Sequence, residues 1–166
     1  MRESRRSEGV VGAWVVAVLL FAASAAGAAT LEPGMVPMGD GVKLATDVVK
    51  PDGSGPWPVL LMRTPYNKQG QRAGKEQLAD QAGVVIVLQD TRGRFASEGT
   101  DCVFRCDMAD GAETIRWIDR QPWSNGKIAS AGASALGIVQ YMHAAAGPKA
   151  LDGMWVQVAT PTLYDH

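Results

Sequence analysis

The stretch from Gly126 to Gly137, GKIASAGASALG, constrains the fold more than any other part of this chain. The turn-forming pair Asn125-Gly126 leads into the apolar run Ile128 to Ala131, and Ala135 to Ala146 has helix-forming composition interrupted only by Gly137. Between them stands Ser134, flanked by small residues. A strand that turns directly into a helix presents the N–H groups of the helix N-terminus to a ligand, and only small neighbours fit so tight a turn. Ser134 is therefore the leading nucleophile candidate. The spacing is G-x-S-x-x-G, with Leu136 where the common five-residue elbow has its second glycine. A serine that merely caps the helix fits the same residues.

The rest of the chain supplies the elements such an elbow needs. Leu31 to Met38 and Val42 to Val49, joined at Asp40-Gly41, read as two antiparallel strands. After a Gly- and Pro-rich turn holding Trp57, Val59 to Met62 and Val84 to Leu88 are apolar on both faces, as buried parallel strands are. Ala73 to Ala82 between them is helix-forming and stops at Gly83, which makes the unit β-α-β. Asp107 to Arg120 is a further helix, with acids at its start and Arg120 near its end. The helix after Ser134 ends at Gly147-Pro148, and Met154 to Val158 forms a fourth buried-type strand. The fold class is α/β, a mostly parallel sheet with an N-terminal antiparallel hairpin.

Residues 1–28 differ in kind. Arg2, Arg5 and Arg6 precede an apolar run from Val10 to Ala23, and Ala26-Gly27-Ala28 offers a cleavage site, the pattern of a signal peptide. The run is short for a membrane span of about 20 residues, so an uncleaved anchor is the lesser reading. Ser4-Arg5-Arg6 suits a twin-arginine signal, against which Glu8 and Gly9 stand where hydrophobic residues belong. Cleavage leaves residues 29–166 as one secreted or periplasmic domain without stable membrane association. With a net charge of −1 and no basic patch, nothing points to nucleic acid. In an oxidising compartment Cys102 and Cys106, the only cysteines, can form a disulfide. Two free thiols fit the spacing as well, whereas a lone C-x3-C is a poor metal site.

The loop Gln89 to Gly99 follows a strand's C-terminal end, where open α/β sheets bind ligands. Its Asp90, Arg92, Arg94 and Glu98 can hold a substrate, but mutual salt bridges that stiffen the loop are the plainer expectation.

Taken together, the blocks VPMGDGVKLATDVVKPDG, PVLLMRTPYNK, VVIVLQDTRGRFASEG and DGAETIRWIDRQPWSNGKIASAGASALG resemble the N-terminal part of the cocaine-esterase and Xaa-Pro dipeptidyl-peptidase-like serine hydrolases. The resemblance covers nearly all of the mature chain, in order. It implies the N-terminal portion of an α/β-hydrolase fold, ester or peptide substrates, acyl transfer to a serine, and no cofactor or metal. It casts Ser134 as nucleophile, the Tyr66 hydroxyl as one oxyanion donor and the Ala135 backbone N–H as the other. Family members usually carry tyrosine where this chain has Ala135; the backbone donor survives that change.

A serine hydroxyl needs a base, and the base a carboxylate to hold it. In α/β-hydrolases both follow the serine, in the order acid then histidine. His143 lies roughly two and a half turns down the helix from Ser134, out of reach, and reads as a structural or surface residue. His166, the last residue, is a poor place to fix a base. Residues 29–166 thus read as a hydrolase domain truncated before cap, acid and base, close to inactive alone, its last strand at an uncovered sheet edge. The rival reading is a short non-catalytic exported module that binds a partner. Substrate identity and oligomeric state stay open.

Overall fold

The computed structural model describes residues 28–162. Residues 1–27, nearly all of the expected signal peptide, and 163–166, with Asp165 and His166, lie outside the described residues. Strands β1 (Thr30–Pro37) and β2 (Lys43–Lys50) form the expected antiparallel hairpin. Gly41, at φ 87°, allows its turn, in which the Gly41 N–H donates to the Met38 carbonyl at 2.9 Å. Then come β3 (Trp57–Thr64), α1 (Lys75–Ala82) and β4 (Val85–Asp90), the expected β-α-β unit with β3 and β4 parallel neighbours. Helix α1 stops at Gly83, whose left-handed φ of 62° lets its N–H return to the Ala79 carbonyl. Helix α2 (Asp107–Asp119), β5 (Ser124–Ala133), α3 (Ala135–Ala145) and β6 (Leu151–Gln157) follow.

The sheet runs β1-β2-β4-β3-β5-β6, antiparallel through the first three and parallel beyond. Its central strand β4 is covered on both faces, which is why Val85 to Leu88 is apolar without alternation. Ile86 and Leu88 pack with Ala79 of α1, while Val85 and Val87 pack with Ile115 and Ile118 of α2. Each such buried Val, Leu or Ile side chain contributes on the order of 1.5–3 kcal/mol.

The two edges differ. Strand β1 carries Pro33 and Pro37, which cannot donate to a further strand. Strand β6 pairs only with β5 among the described residues, at an edge as expected. It spans Leu151–Gln157 where Met154 to Val158 was expected, and its Trp155 and Met154 are 65% and 41% exposed, as an apolar strand is at an edge that nothing described covers. Among the described residues no helix is long and apolar enough to cross a membrane.

Candidate active site

Parallel pairing delivers the site residues to one edge. Leu61 of β3 pairs with Ser130 of β5, and Thr64 of β3 with Asp90 of β4, so the loops after all three strands emerge together at their C-terminal ends. Ser134 is the single residue between β5 and α3. Its backbone lies at φ 56°, ψ −126°, on the side of conformational space that favours glycine. For a serine this costs on the order of 1–3 kcal/mol and persists only where the surroundings impose it. They do so at both ends: the Ser134 N–H donates to the Gln157 carbonyl of β6 at 3.0 Å, and its carbonyl accepts from the N–H groups of Gly137 and Ile138. The side chain is exposed and makes no capping bond, so helix capping is not what this serine does. The wide glycine spacing also has a steric reason. A Cβ at Gly132 would collide with Leu136, and one at Gly137 would lie 2.6 Å from the Ala159 methyl.

Tyr66 and Ala135 line one open cleft of about 290 Å³. Ser134, the residue before Ala135, is not among the lining residues. Ala135 opens α3, where an N–H has no intrahelical acceptor and the helix dipole favours negative charge. Tyr66 follows Pro65 out of β3; its N–H donates to the Thr64 hydroxyl and its ring is 55% exposed. The same cleft is lined by the turn that begins and ends with Cys102 and Cys106, here joined by a disulfide. A second groove, apolar and about 310 Å³, lies by Pro58, Val84 and Lys127 at the other end of the strands, remote from Ser134.

The charged residues after β4 do not pair with one another, contrary to the expectation of mutual salt bridges. Each staples the loop to another element. Asp90 accepts from the N–H groups of Lys68 and Ala96; burial pushes its carboxyl up, and those two donors oppose the shift. Arg92 grips Asp110 of α2 through two bonds and also reaches Asp40, whose carboxyl it holds below the usual range. Arg94 donates to the Pro65 carbonyl and pairs with Asp101. Glu98 accepts from the Lys43 N–H.

Beneath the elbow runs a buried polar network that sequence reasoning missed. Arg63, 2% exposed, donates to Gln89 at 2.7 Å and lies 2.9 Å from the Asp107 carboxylate. Burial pushes the Asp107 carboxyl up while the Arg63 charge pulls it down. Gln89 also joins Thr46 and Thr114. The only signal was the polar residue closing each apolar run, Arg63 after Met62 and Gln89 after Leu88.

His143, the only histidine among the described residues, is buried on α3 and is structural, not a surface residue. Gln140 donates its amide to the carbonyls of Gly132 and Trp155, which leaves its oxygen to accept the Ser130 hydroxyl. Ser130 must then accept from His143 Nε2, 3.1 Å away, so that nitrogen carries a proton. Burial, with the Arg63 charge second, pulls its pKa down to about 3. No hydrogen bond joins it to Ser134. Among the described residues no cluster of His, Cys, Asp and Glu gathers that could hold a metal ion.

Comparison with known proteins adds the context. A model of the family described as X-Pro dipeptidyl-peptidase (S15 family) matches residues 40–166. A cocaine esterase from Rhodococcus sp. (strain MB1 Bresler) is 42% identical over 135 residues, covering 78% of this chain and 24% of its own. The crystal structure of an aminopeptidase from a marine sediment archaeon (Thaumarchaeota archaeon) superposes with TM-score 0.68 at 30% identity, over 76% of this chain and 24% of that one. A CocE/NonD family hydrolase from Staphylococcus aureus gives TM-score 0.70 at 26% identity, over 76% and 27%. The fold is thus the N-terminal portion of an α/β-hydrolase. The chain spans about a quarter of the length of these relatives.

Proposed function

This chain belongs to the X-Pro dipeptidyl-peptidase (S15) family, and from that premise we propose that it supplies the nucleophile and oxyanion site of an exported serine hydrolase acting on small esters or peptides. The observation that carries the proposal is the exposed Ser134 in its left-handed strand-to-helix turn, next to a cleft shared by Tyr66 and Ala135. Ser134 Oγ attacks the substrate carbonyl carbon. The oxygen that becomes negative is stabilised by the Tyr66 hydroxyl and the Ala135 N–H, with the α3 dipole behind them. A base takes the serine proton and passes it to the leaving group; water then releases the acyl group from Ser134. His143, buried and bonded to Ser130, does not serve as that base. We place the base and its carboxylate partner in the part of the protein that corresponds to the remaining length of its relatives.

The Cys102–Cys106 disulfide supports export, because such bonds persist in oxidising compartments. The test uses the whole natural protein, with hydrolysis of short-chain 4-nitrophenyl esters and X-Pro anilides as readout. Ser134→Ala lowers turnover by on the order of 10⁶, and a fluorophosphonate adds its mass at Ser134 alone. Undiminished hydrolysis by Ser134→Ala would overturn the assignment.

A further inference from the structure

The cleft beside Ser134 has two walls, and they are tied to each other. One is Pro65-Tyr66. The other is the turn from Cys102 to Cys106, in which Val103 at φ 43° and Phe104 at φ 65° lie consecutively in the left-handed region, where a β-branched residue is an outlier. The disulfide closes this turn. Asp101 fixes its entry, one carboxylate oxygen accepting the Val103 N–H at 2.9 Å and the other pairing with Arg94 at 3.3 Å. Arg94 in turn donates to the Pro65 carbonyl at 3.1 Å. Gly93 packs so closely on the Thr100-Asp101 backbone that any side chain there would collide. The two walls are thus linked through Arg94 and Asp101, which set the width between them.

What the cleft can recognise follows from which lining groups are free. Its charged members are engaged: Arg92 with Asp110 and Asp40, Arg94 with Asp101, Asp107 with Arg63. Tyr66 and Val103 stand exposed at 55% and 69%, with Phe104 and Ala135 beside them. We infer that the disulfide-clasped turn 102–106, strapped to Tyr66 through Asp101 and Arg94, is the specificity wall of this cleft and receives an apolar group borne on the acyl or the alcohol side of the substrate. This rests on acyl transfer at Ser134. The wall is also redox-responsive. A dithiol reductant breaks the one S–S bond and leaves two thiols, itself becoming a cyclic disulfide, and the turn is freed to leave its left-handed conformation.

The test uses the whole protein and two ester series: acetates of methanol and butanol, and methyl esters of acetic and pentanoic acid. Parent, dithiothreitol-reduced parent, the Cys102→Ser/Cys106→Ser double variant and Val103→Asp, which keeps the disulfide, are compared. The three altered forms raise KM for the larger ester of one series at least about fivefold, and that series identifies the side that carries the apolar group. The smaller esters and kcat stay within about twofold. An equal loss across all esters, or an unchanged KM after reduction, overturns the assignment. Binding separates this from the acyl-transfer reading. Ser134→Ala, with the disulfide intact or removed, is titrated calorimetrically with intact butyl acetate and methyl pentanoate. Weaker binding of one of them without the disulfide supports the wall even if the parent hydrolyses nothing, in which case only the acyl-transfer reading falls. Equal binding, or none, overturns the wall.

Discussion

Buried His143 makes this domain acid-sensitive by an amount that can be worked out. In the unfolded chain a histidine takes up a proton near its ordinary pKa of 6.5, whereas burial and the nearby Arg63 charge pull His143 down to about 3 in the folded protein. The folded value is depressed, so the contribution to stability is present above pH 6.5 and is lost as pH falls toward 3. At pH 5 the unfolded state is favoured by roughly 1.5 pH units of proton uptake, about 2 kcal/mol at 1.36 kcal/mol per unit. That result needs only a folded value well below 5. Urea denaturation at pH 7 and pH 5 reads it as a midpoint lower by on the order of 1 M in the parent. His143→Gln removes the titrating group while keeping a donor toward Ser130, so its own pH 7 to pH 5 loss is smaller than the parent's by about 2 kcal/mol. Nitrogen NMR of the parent at pH 5 shows a neutral ring protonated at Nε2. Equal pH losses in parent and variant, or a cationic His143 at pH 5, would refute the reasoning.

Two further outcomes follow from the same geometry. Arg63→Met strands the buried Asp107 carboxylate and destabilises the protein by about 3–5 kcal/mol, most of which Arg63→Met/Asp107→Asn recovers; urea melts showing under about 1 kcal/mol for the single change would sink this account. Tyr66→Phe lowers kcat in ester hydrolysis by on the order of 10²–10³ with KM nearly unchanged, whereas a rise in KM alone would make Tyr66 a packing residue.

What could be seen in the sequence was local. Asp40-Gly41 placed the hairpin turn, Gly83 ended α1, and the unbroken apolar run before Gln89 marked the central strand, because each acts within a few residues of itself. Strand β5 outran its apolar pattern, extending from Ser124 to Ala133. Its polar and glycine positions pair through backbone groups with β3 and β6, and backbone pairing leaves no trace in hydropathy. The loop after β4 was misread for a related reason. Arg92 lies 18 residues from Asp110 and 52 from Asp40, so no local pattern assigns those partners, and the sequence offers only the nearest opposite charges. At the elbow the small residues announced a tight turn around Ser134. That the side chain would be exposed without a cap bond depended on β6, which enters from a separate part of the chain.

That dependence links the elbow to the edge of the sheet. The unfavourable backbone of Ser134 is held through its N–H by Gln157 of β6, and Gln140 reaches from α3 to the carbonyls of both Gly132 and Trp155. Gln140 thereby fastens β5 and β6 to the helix that Ser134 begins. Among the described residues β6 pairs on one side only and leaves Met154 and Trp155 exposed. Opening β6 removes the Gln157 acceptor and one of the two Gln140 anchors, and the serine is then free to relax toward ordinary backbone angles. Whatever covers the outer edge of β6 therefore also stiffens the elbow. Coverage of that edge and the geometry of Ser134 are one problem in this fold, coupled through two hydrogen-bonding residues, Gln140 and Gln157.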